Sequence, residues 1–461
     1  MTLAGAPWLM TRGVRIAAAA SSGAAARILS ALLTLVSVPL AVRYLGAERF
    51  GVWATITSTV VFLNLLDLGI ASTLTNHLAR AYALGGNRCA ARYTTNALAL
   101  TTAIAFVGGL TFAVVWPRID WMGLFNVSNT VPCSEVRHTV AVAGTLMLLG
   151  LPAALVNRVF AGYQEVHLSN FVIAVGAAAN LVGLFVGIAL RVSMPVLFVL
   201  SVGCVTLCNF VALLATLLWY KPWLCPRLSQ VDLSIVRELL SSGSGFLLIQ
   251  IAGAVVFSSD NLVVSHYLGA AQVTPYSVTW RLVGFTAILQ SLIFPALWPA
   301  YAEAYARRDF AWMRRAFRFT LRATLALNFA CAVTLIIIGK TAIRWWAGPA
   351  AVPSSALLLA MAAWAVISGF MTVESCLLAA VNRTREQGTL SIVAAAVNLT
   401  LSIVLVKYIG SVGVIVGTIL SYLAVLVVPQ SLIVRSVMRT LLKEKSELRE
   451  SVCPTLTGTA V

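Results

Sequence analysis

The sequence predicts an all-α polytopic membrane protein with about 12 transmembrane helices. Its 461 residues are 60% hydrophobic and only 10% charged, whereas soluble domains carry about 25% charged residues. The apolar residues also come in long blocks, and a helix needs about 20 of them to cross ~30 Å of hydrocarbon. These blocks lack the apolar-polar alternation of membrane β-barrel strands. A helical bundle is therefore the expected fold.

The blocks divide into two groups of six. The predicted N-terminal lobe, residues 1–220, contains blocks at 27–42, 51–73, 94–115, 139–159, 169–190 and 194–220. The predicted C-terminal lobe, residues 243–434, contains blocks at 243–266, 275–298, 319–339, 353–379, 389–406 and 412–434. Polar residues at 221–242 predict a cytoplasmic linker, with an amphipathic stretch at 233–240 and a Gly-Ser turn at 241–245. Residues 435–461 are expected to be a cytoplasmic tail.

The positive charge of the chain indicates its orientation in the membrane. The net charge of +17 could indicate nucleic acid as a partner. If both termini are cytoplasmic, however, 23 of the 32 Lys and Arg residues fall on the cytoplasmic side and 8 outside. This distribution follows the positive-inside rule. It favours membrane lipids over nucleic acid as the partner of these charges.

A short internal repeat links the two groups of blocks. Tyr-Leu-Gly-Ala occurs at 44–47 and again at 267–270. The same offset in residue number relates Ala-Arg-Ala-Tyr-Ala at 79–83 to Ala-Glu-Ala-Tyr-Ala at 302–306. Two six-helix halves would enter the membrane in the same direction. Transporters with such parallel repeats hold the substrate path between the halves.

Arg281 lies inside the apolar block at 275–298, where a charge costs roughly 2.5–3.5 kcal/mol on insertion scales. At a rise of ~1.5 Å per residue, Asp260 in the preceding block is expected at nearly the same depth in the membrane as Arg281. We predict that these two side chains face each other. The pair could be structural and fix helix packing. Alternatively, Arg281 could hold phosphate oxygens in a lumen, with Asp260 competing for it when the site is empty.

Four further charged residues lie inside the predicted spans or at their ends. Asp67 and Glu374 lie near the cytoplasmic ends of their spans, so each could be solvated or capping. They could also be proton or sodium sites, because ion-coupled transporters use intramembrane acids. Arg27 and Arg80 could be interfacial anchors, or they could line an inward-facing vestibule and bind a head group.

The sequence lacks the usual signatures of enzymes. It has no Walker-type glycine loop, no zinc-helix motif and no serine nucleophile elbow. We therefore expect no enzymatic activity, no metal site and no cofactor, with a coupled proton or sodium ion left open.

Several segments resemble the Wzx-type flippases of O-antigen and exopolysaccharide biosynthesis, in the multidrug/oligosaccharidyl-lipid/polysaccharide exporter superfamily. These segments are Tyr-Leu-Gly-Ala-Glu-Arg-Phe-Gly-Val-Trp at 44–53, Leu-Asn-Leu-Leu-Asp-Leu-Gly-Ile at 63–70, Ser-Asp-Asn at 259–261, Trp-Arg-Leu at 280–282 and Ala-Val-Asn-Arg-Thr-Arg at 380–385. The resemblance covers most of residues 24–434.

The resemblance implies two lobes around a cationic central cavity. It also implies alternating access and export of undecaprenyl-diphosphate-linked oligosaccharide across the bacterial inner membrane. A polysaccharide polymerase and a chain-length regulator would be the expected partners. Related lipid II flippases carry an arginine at the place of Arg281. They usually also have arginines in the second helix, where this chain has Asp67, and they have fourteen helices.

Two other functions remain open from the sequence. A cation-coupled multidrug exporter of the same superfamily would favour carboxylates in the N-terminal lobe, and Asp67 fits that reading. A membrane-embedded glycosyltransferase or polymerase would need paired acids or basic residues in large external loops. The largest predicted external loop, 116–138, offers few of them.

Overall fold

The structure is a computed structural model that describes residues 6–84, 86–128, 130–381 and 383–437. The described residues are predominantly helical and contain no strand, which confirms the predicted all-α class. The predicted tail falls almost entirely outside the described residues. The α-helices are α1 (Ala6–Val61), α2 (Ile70–Ala83), α3 (Asn87–Val115), α4 (Trp121–Phe125), α5 (Cys133–Gly162), α6 (Val166–Ala189), α7 (Met194–Phe198), α8 (Cys204–Ala215), α9 (Leu233–Leu268), α10 (Ala270–Ala306), α11 (Phe310–Ala347), α12 (Ser355–Ala380), α13 (Thr384–Ile409) and α14 (Ser411–Tyr422).

Nine helical stretches in the described part of the chain are long and apolar enough to cross a membrane. The first, Ala25–Asp67, joins the first predicted block to most of the second. Three others are longer than a single α-helix, and the first of them, Asn87–Arg118, joins α3 to a short 3-10 helix. Met194–Tyr220 combines α7 and α8 with two π-helical segments, and Ser411–Val437 continues α14 through a third. The predicted seventh and eighth blocks lie within α9 and α10. The count of 12 crossings stays a prediction.

The internal repeat has a structural counterpart in two helix breaks. Gly46 interrupts α1 with φ 76° and ψ 174°. Gly269 separates α9 from α10 with φ 89° and ψ 153°. This backbone region is essentially restricted to glycine, because a Cβ atom would clash there. The same unusual conformation therefore recurs at equivalent positions of the repeat.

The segments that follow these two glycines contact each other reciprocally. The Thr274 hydroxyl donates to the carbonyl oxygen of Ala47. A Cβ atom added to Gly51 would lie 1.7 Å from the carbonyl oxygen of Ala270. Ala47 corresponds to Ala270 in the repeat, and Gly51 corresponds to Thr274. The contact is therefore symmetric, as expected for parallel repeats related by an axis along the membrane normal.

The predicted helix at 51–73 is not continuous. A 3-10 helix, Phe62–Asp67, follows α1. Leu68 and Gly69 then adopt left-handed conformations with φ 50° and 76° before α2 begins. The apolar block predicted the span but not this break, since it contains no proline that would signal one.

The predicted linker is ordered by contacts to α3. The guanidinium of Arg92 lies 2.7 Å from a carboxylate oxygen of Asp232. The side-chain amide of Asn96 donates to the carbonyl of Gln230 and accepts from the backbone N–H of Asp232. Hydrogen bonds from the Ser234 hydroxyl and N–H lower the pKa of Asp232, which caps α9. The predicted Gly-Ser turn at 241–245 is wrong, because α9 continues through it as a helix.

The chain forms two compact units. Within the described residues, the first comprises 6–279 and 341–353, and the second comprises 280–340 and 354–437. In the first unit, α2, α3 and α5 pack around a buried apolar cluster that includes Leu74, Leu78 and Leu155. In the second, Tyr301, Met313 and Leu377 form the centre of another cluster. The predicted lobes at 1–220 and 243–434 stay predictions.

Candidate functional site

Asp260 is the most deeply buried acid of the first unit. It lies on α9 and is 3% exposed. One carboxylate oxygen accepts a hydrogen bond of 2.6 Å from the Tyr276 hydroxyl of α10. The other is also buried and has no hydrogen-bond partner among the described residues. A buried carboxylate oxygen without a partner is costly, and the use of this position as a proton or cation site stays a prediction.

Polar side chains continue from Asp260 toward α1. The amide of Asn261 donates to the Ser58 hydroxyl at 2.7 Å. The Thr55 hydroxyl donates to the carbonyl of Gly51 at 2.9 Å and lies 3.5 Å from the carbonyl of Asn261. These hydrogen bonds join polar groups of α1 and α9 within an otherwise apolar segment. They supply hydroxyl and amide oxygens in the same part of the unit as the acid.

Asp67 lies at the break between α1 and α2. Its carboxylate oxygens accept from the backbone N–H of Ala71 at 3.2 and 3.4 Å. Arg158 of α5 interacts with it electrostatically. The structure thus shows the capping contact that one interpretation of Asp67 predicts. Its use in ion coupling stays a prediction, and Arg158 is a nearby cation that the sequence reasoning missed.

The two arginines of the first unit that were predicted as interfacial anchors or head-group contacts lie on exposed helix surfaces. Arg27 is exposed on α1, and Arg80 is exposed in the last turn of α2. Exposure is compatible with both interpretations, interfacial anchors and vestibule lining. Their predicted contact with a head group is untested.

Arg281 is half-buried on α10, in the second unit. Counting from the start of α10 at Ala270, it lies about 16 Å along the helix. The preceding side chain, Trp280, stacks on Trp364 of α12 with ring centroids 6.3 Å apart. The predicted partner, Asp260, belongs to the first unit and accepts from Tyr276 there. The Asp260–Arg281 pair stays a prediction.

Glu374 is the buried acid of the second unit. It lies on α12 and is 3% exposed, so the interpretation of a solvated interfacial carboxylate is wrong. One oxygen accepts from the Ser431 hydroxyl at 2.8 Å, and the other has no hydrogen-bond partner among the described residues. The oxygen of Gln430, next to Ser431, is equally buried and without a described partner. Glu374 therefore resembles Asp260 in having one satisfied and one unsatisfied oxygen.

A second polar contact in this unit was not predicted. The amide of Gln290 donates to the Asn328 oxygen at 3.2 Å, and both residues are buried. Gly369 of α12 lies against this pair, since an added Cβ atom there would be 1.8 Å from the amide nitrogen of Asn328. Neutral amides carry no charge signal in a sequence, which explains why they were missed.

Comparison with known proteins identifies a family and several relatives to which the chain is similar. The profile of the family described as "Polysaccharide biosynthesis protein" matches residues 16–304. A "Putative O-antigen transporter" of Salmonella typhi is 23% identical over 299 residues, which cover 64% of this chain and 67% of the relative. A "Putative O-antigen export protein" of Yersinia pseudotuberculosis is 23% identical over 302 residues, covering 63% and 66%. The chain thus spans about two thirds of the length of these relatives.

The fold also has counterparts among solved structures. One is the inward-facing conformation of a multidrug resistance MATE family transporter of the MOP superfamily. It superposes with a TM-score of 0.75 at 16% sequence identity, over 91% of this chain and 99% of the other. At this identity the likeness shows the transporter fold and leaves the substrate open.

Proposed function

The chain belongs to the polysaccharide biosynthesis protein family, and we propose that it is a flippase for lipid-linked oligosaccharide. It would move an undecaprenyl-diphosphate-linked unit across the bacterial inner membrane for O-antigen or exopolysaccharide synthesis. The family match over residues 16–304 carries this proposal. The O-antigen names of the relatives support it.

The chemistry of the substrate explains why intramembrane charges are useful. A diphosphate with attached sugars cannot cross hydrocarbon alone, because its charges would lose their hydration. A guanidinium such as that of Arg281 can replace part of that hydration with two parallel hydrogen bonds. The polyprenyl tail needs no such replacement and can stay in the lipid. Arg27 and Arg80 would meet the head group at the cytoplasmic end.

We assign ion coupling to the buried acids. Asp260 and Glu374 each keep one carboxylate oxygen without a described partner, and Asp67 lies at a helix break. Proton or sodium binding at such groups can drive a conformational change. Both termini would be cytoplasmic, and the polysaccharide polymerase and chain-length regulator would act on the exported units.

The reciprocal contact near Gly51 joins the predicted N-terminal lobe to the predicted C-terminal lobe, so alternating access between these lobes would require the contact to separate during each cycle. A disulfide between Ala47→Cys and Thr274→Cys tests this step. Oxidation should stop export, and a reductant should restore it. The matched control is Asn157→Cys with Ser169→Cys, because these side chains form a 3.0 Å hydrogen bond between two helices of the predicted N-terminal lobe. Export that continues with the first pair fully crosslinked contradicts alternating access at this contact.

The experiment that tests the flippase itself uses proteoliposomes. Purified protein would be reconstituted with a polyprenyl-diphosphate-linked saccharide, and a membrane-impermeant lectin would report the externally exposed sugar. We expect protein-dependent exposure, with little in liposomes that contain the Arg281→Ala variant. Equal exposure with and without protein would falsify the proposal.

A cation-coupled multidrug exporter is the second candidate. The MATE-type fold favours it, and so does the acid at Asp67. Drug susceptibility of a deletion strain discriminates the two functions. An exporter of drugs changes susceptibility and leaves surface polysaccharide intact, whereas a flippase does the reverse.

A further inference from the structure

A polar cavity of about 610 Å³ opens in the first unit, apart from the intramembrane charges described above. It lies where α1, α5, α6 and α7 meet at the predicted external face. Its volume falls within the roughly 300–1,000 Å³ of typical small-molecule sites. The polar and charged residues that line it are Tyr44, Arg49, Ser134, Glu135, His138, Arg191 and Ser193.

The one acid of this lining is already engaged. One carboxylate oxygen of Glu135 lies 3.1 Å from the Arg49 guanidinium. The other accepts from the backbone N–H of Met194 at 3.2 Å, at the start of α7. Both carboxylate oxygens of Glu135 therefore contact other residues of the cavity lining. It is not free to take a cation from solution.

The groups that remain open are guanidinium groups, an imidazole and hydroxyls. The side chains of Arg191 and His138 form no hydrogen bond or ion pair with the described residues, and both line the cavity and are exposed. Arg49 uses only its Nε atom in the contact with Glu135. The hydroxyls of Ser134 and Ser193 add donors and acceptors. The Tyr44 hydroxyl is fixed by donation to the carbonyl of Val192 at 2.6 Å.

Arg191 also occupies a backbone conformation that is uncommon for its type. It follows the end of α6 with φ 52°, at the place where helices usually have glycine in the left-handed region. Keeping a large charged residue there costs conformational energy that glycine would avoid. A glycine substitution would therefore remove the Arg191 guanidinium without straining the backbone.

We propose that this cavity binds a saccharide that carries an anionic group, either a carboxylate or a phosphate. Arg191 would bind the anionic group, and His138 with the two serines would bind the ring hydroxyls. A lone anion would leave most of the volume empty, so the sugar is part of the ligand. The inference rests on the proposed function only in taking the exported oligosaccharide as the source.

Binding to the purified full-length protein in nanodiscs tests the proposal without any transport step. The probes are glucuronate, glucose 6-phosphate, glucose and inorganic phosphate, measured by calorimetry. We expect both anionic sugars to bind more tightly than glucose and more tightly than inorganic phosphate. Arg191→Gly should weaken their binding by roughly tenfold or more, because it removes hydrogen bonds to a charged group. The same variant relieves the backbone strain, so it should fold at least as well as the parent.

Arg118→Ala is the matched control, since Arg118 is an exposed arginine of the same predicted face outside this cavity. It should bind all four probes as the parent does. The proposal is overturned if no anionic sugar binds, if glucose binds equally, or if inorganic phosphate binds as tightly as the sugars. Unchanged binding in Arg191→Gly also overturns it. None of these results bears on flippase activity, which the Arg281→Ala liposomes test separately.

Discussion

The close approach of α1 to the start of α10 predicts that Gly51→Ala will be strongly destabilising. The added Cβ atom would lie 1.7 Å from the Ala270 carbonyl oxygen and 2.6 Å from its carbon. Favourable carbon–oxygen contacts begin at about 3.3 Å, so the two segments would have to separate by about 1.6 Å. A backbone carbonyl cannot rotate away as a side chain can. Overpacking of this kind costs typically about 1–3 kcal/mol.

The separation would also break the other half of the symmetric contact. Moving α10 away from α1 lengthens the hydrogen bond from Thr274 to Ala47, whose net contribution is about 0.5–1.5 kcal/mol. Thr274→Val isolates this second part, because it removes the hydroxyl and keeps the shape. We expect Thr274→Val to lower stability less than Gly51→Ala does.

Thermal unfolding of the purified variants and polysaccharide export in cells provide the measurements. The matched control is Gly109→Ala in α3, where an added Cβ atom meets nothing within 4 Å. In a helix that change stabilises by about 0.8–1.0 kcal/mol. The reasoning is refuted if Gly51→Ala and Gly109→Ala have the same melting temperature and export.

Four further predictions concern charged groups. Arg281→Ala should abolish surface polysaccharide while the protein still inserts in the membrane. Arg281→Lys should keep only part of the polysaccharide output, because lysine keeps the charge but loses the bidentate contact. Normal output from Arg281→Ala in cells contradicts the head-group role. Glu374→Gln should leave the protein folded but remove the dependence of transport in liposomes on a proton or sodium gradient, and an unchanged dependence would exclude coupling there. Lys221→Met should lower the free energy of unfolding by roughly 1–3 kcal/mol, since it removes the ammonium that lies 3.0 Å from Glu165 and leaves that carboxylate only the hydrogen bond from Tyr220. Adding Glu165→Gln should recover part of this loss, and no recovery in unfolding experiments would show that the pair is not coupled. Hydrogen bonds from the neighbouring serine lower the pKa of Asp232 below its ordinary value. The stabilisation that the Asp232 carboxylate gives to the start of α9 should therefore be present above about pH 3.9 and disappear as the pH falls through the lowered pKa. Hydrogen-exchange protection in Asp232→Asn should show no such loss on acidification.

The helical class and the position of most spans follow from the sequence because both depend on summed composition. A block of about 20 apolar residues has few alternatives in a bilayer. Helix interruptions depend on a few local contacts instead. The break at Leu68 and Gly69 lies within an apolar stretch, and the Gly-Ser segment at 241–245 is helical although its residues are poor helix formers. The composition of the chain records neither the break nor the continuous helix.

The candidate site likewise contains some residues that the sequence predicts and others that it does not. Charges such as Asp260 and Glu374 were found because an ionisable residue in an apolar block is conspicuous. Their partners were not found, since Tyr276 and Ser431 are ordinary residues for a membrane helix. The Tyr276 hydroxyl reaches Asp260 only because the chain reverses at Gly269 between them. That geometry belongs to the fold, and the separation of the two residues along the chain does not suggest it.

The repeat duplicates the backbone but not the charges. At the offset that relates Gly46 to Gly269, Arg281 corresponds to Ser58 and Asp67 corresponds to Gln290. Asp260 corresponds to Ser37, so each of these charges has a neutral polar counterpart in the other half. Ser58 accepts from Asn261, and Gln290 donates to Asn328; both equivalents therefore make neutral hydrogen bonds. The repeat therefore keeps the glycine break and the contact beside it in both halves, whereas each charged group is placed in one half only, Asp67 in the first and Asp260 and Arg281 in the second.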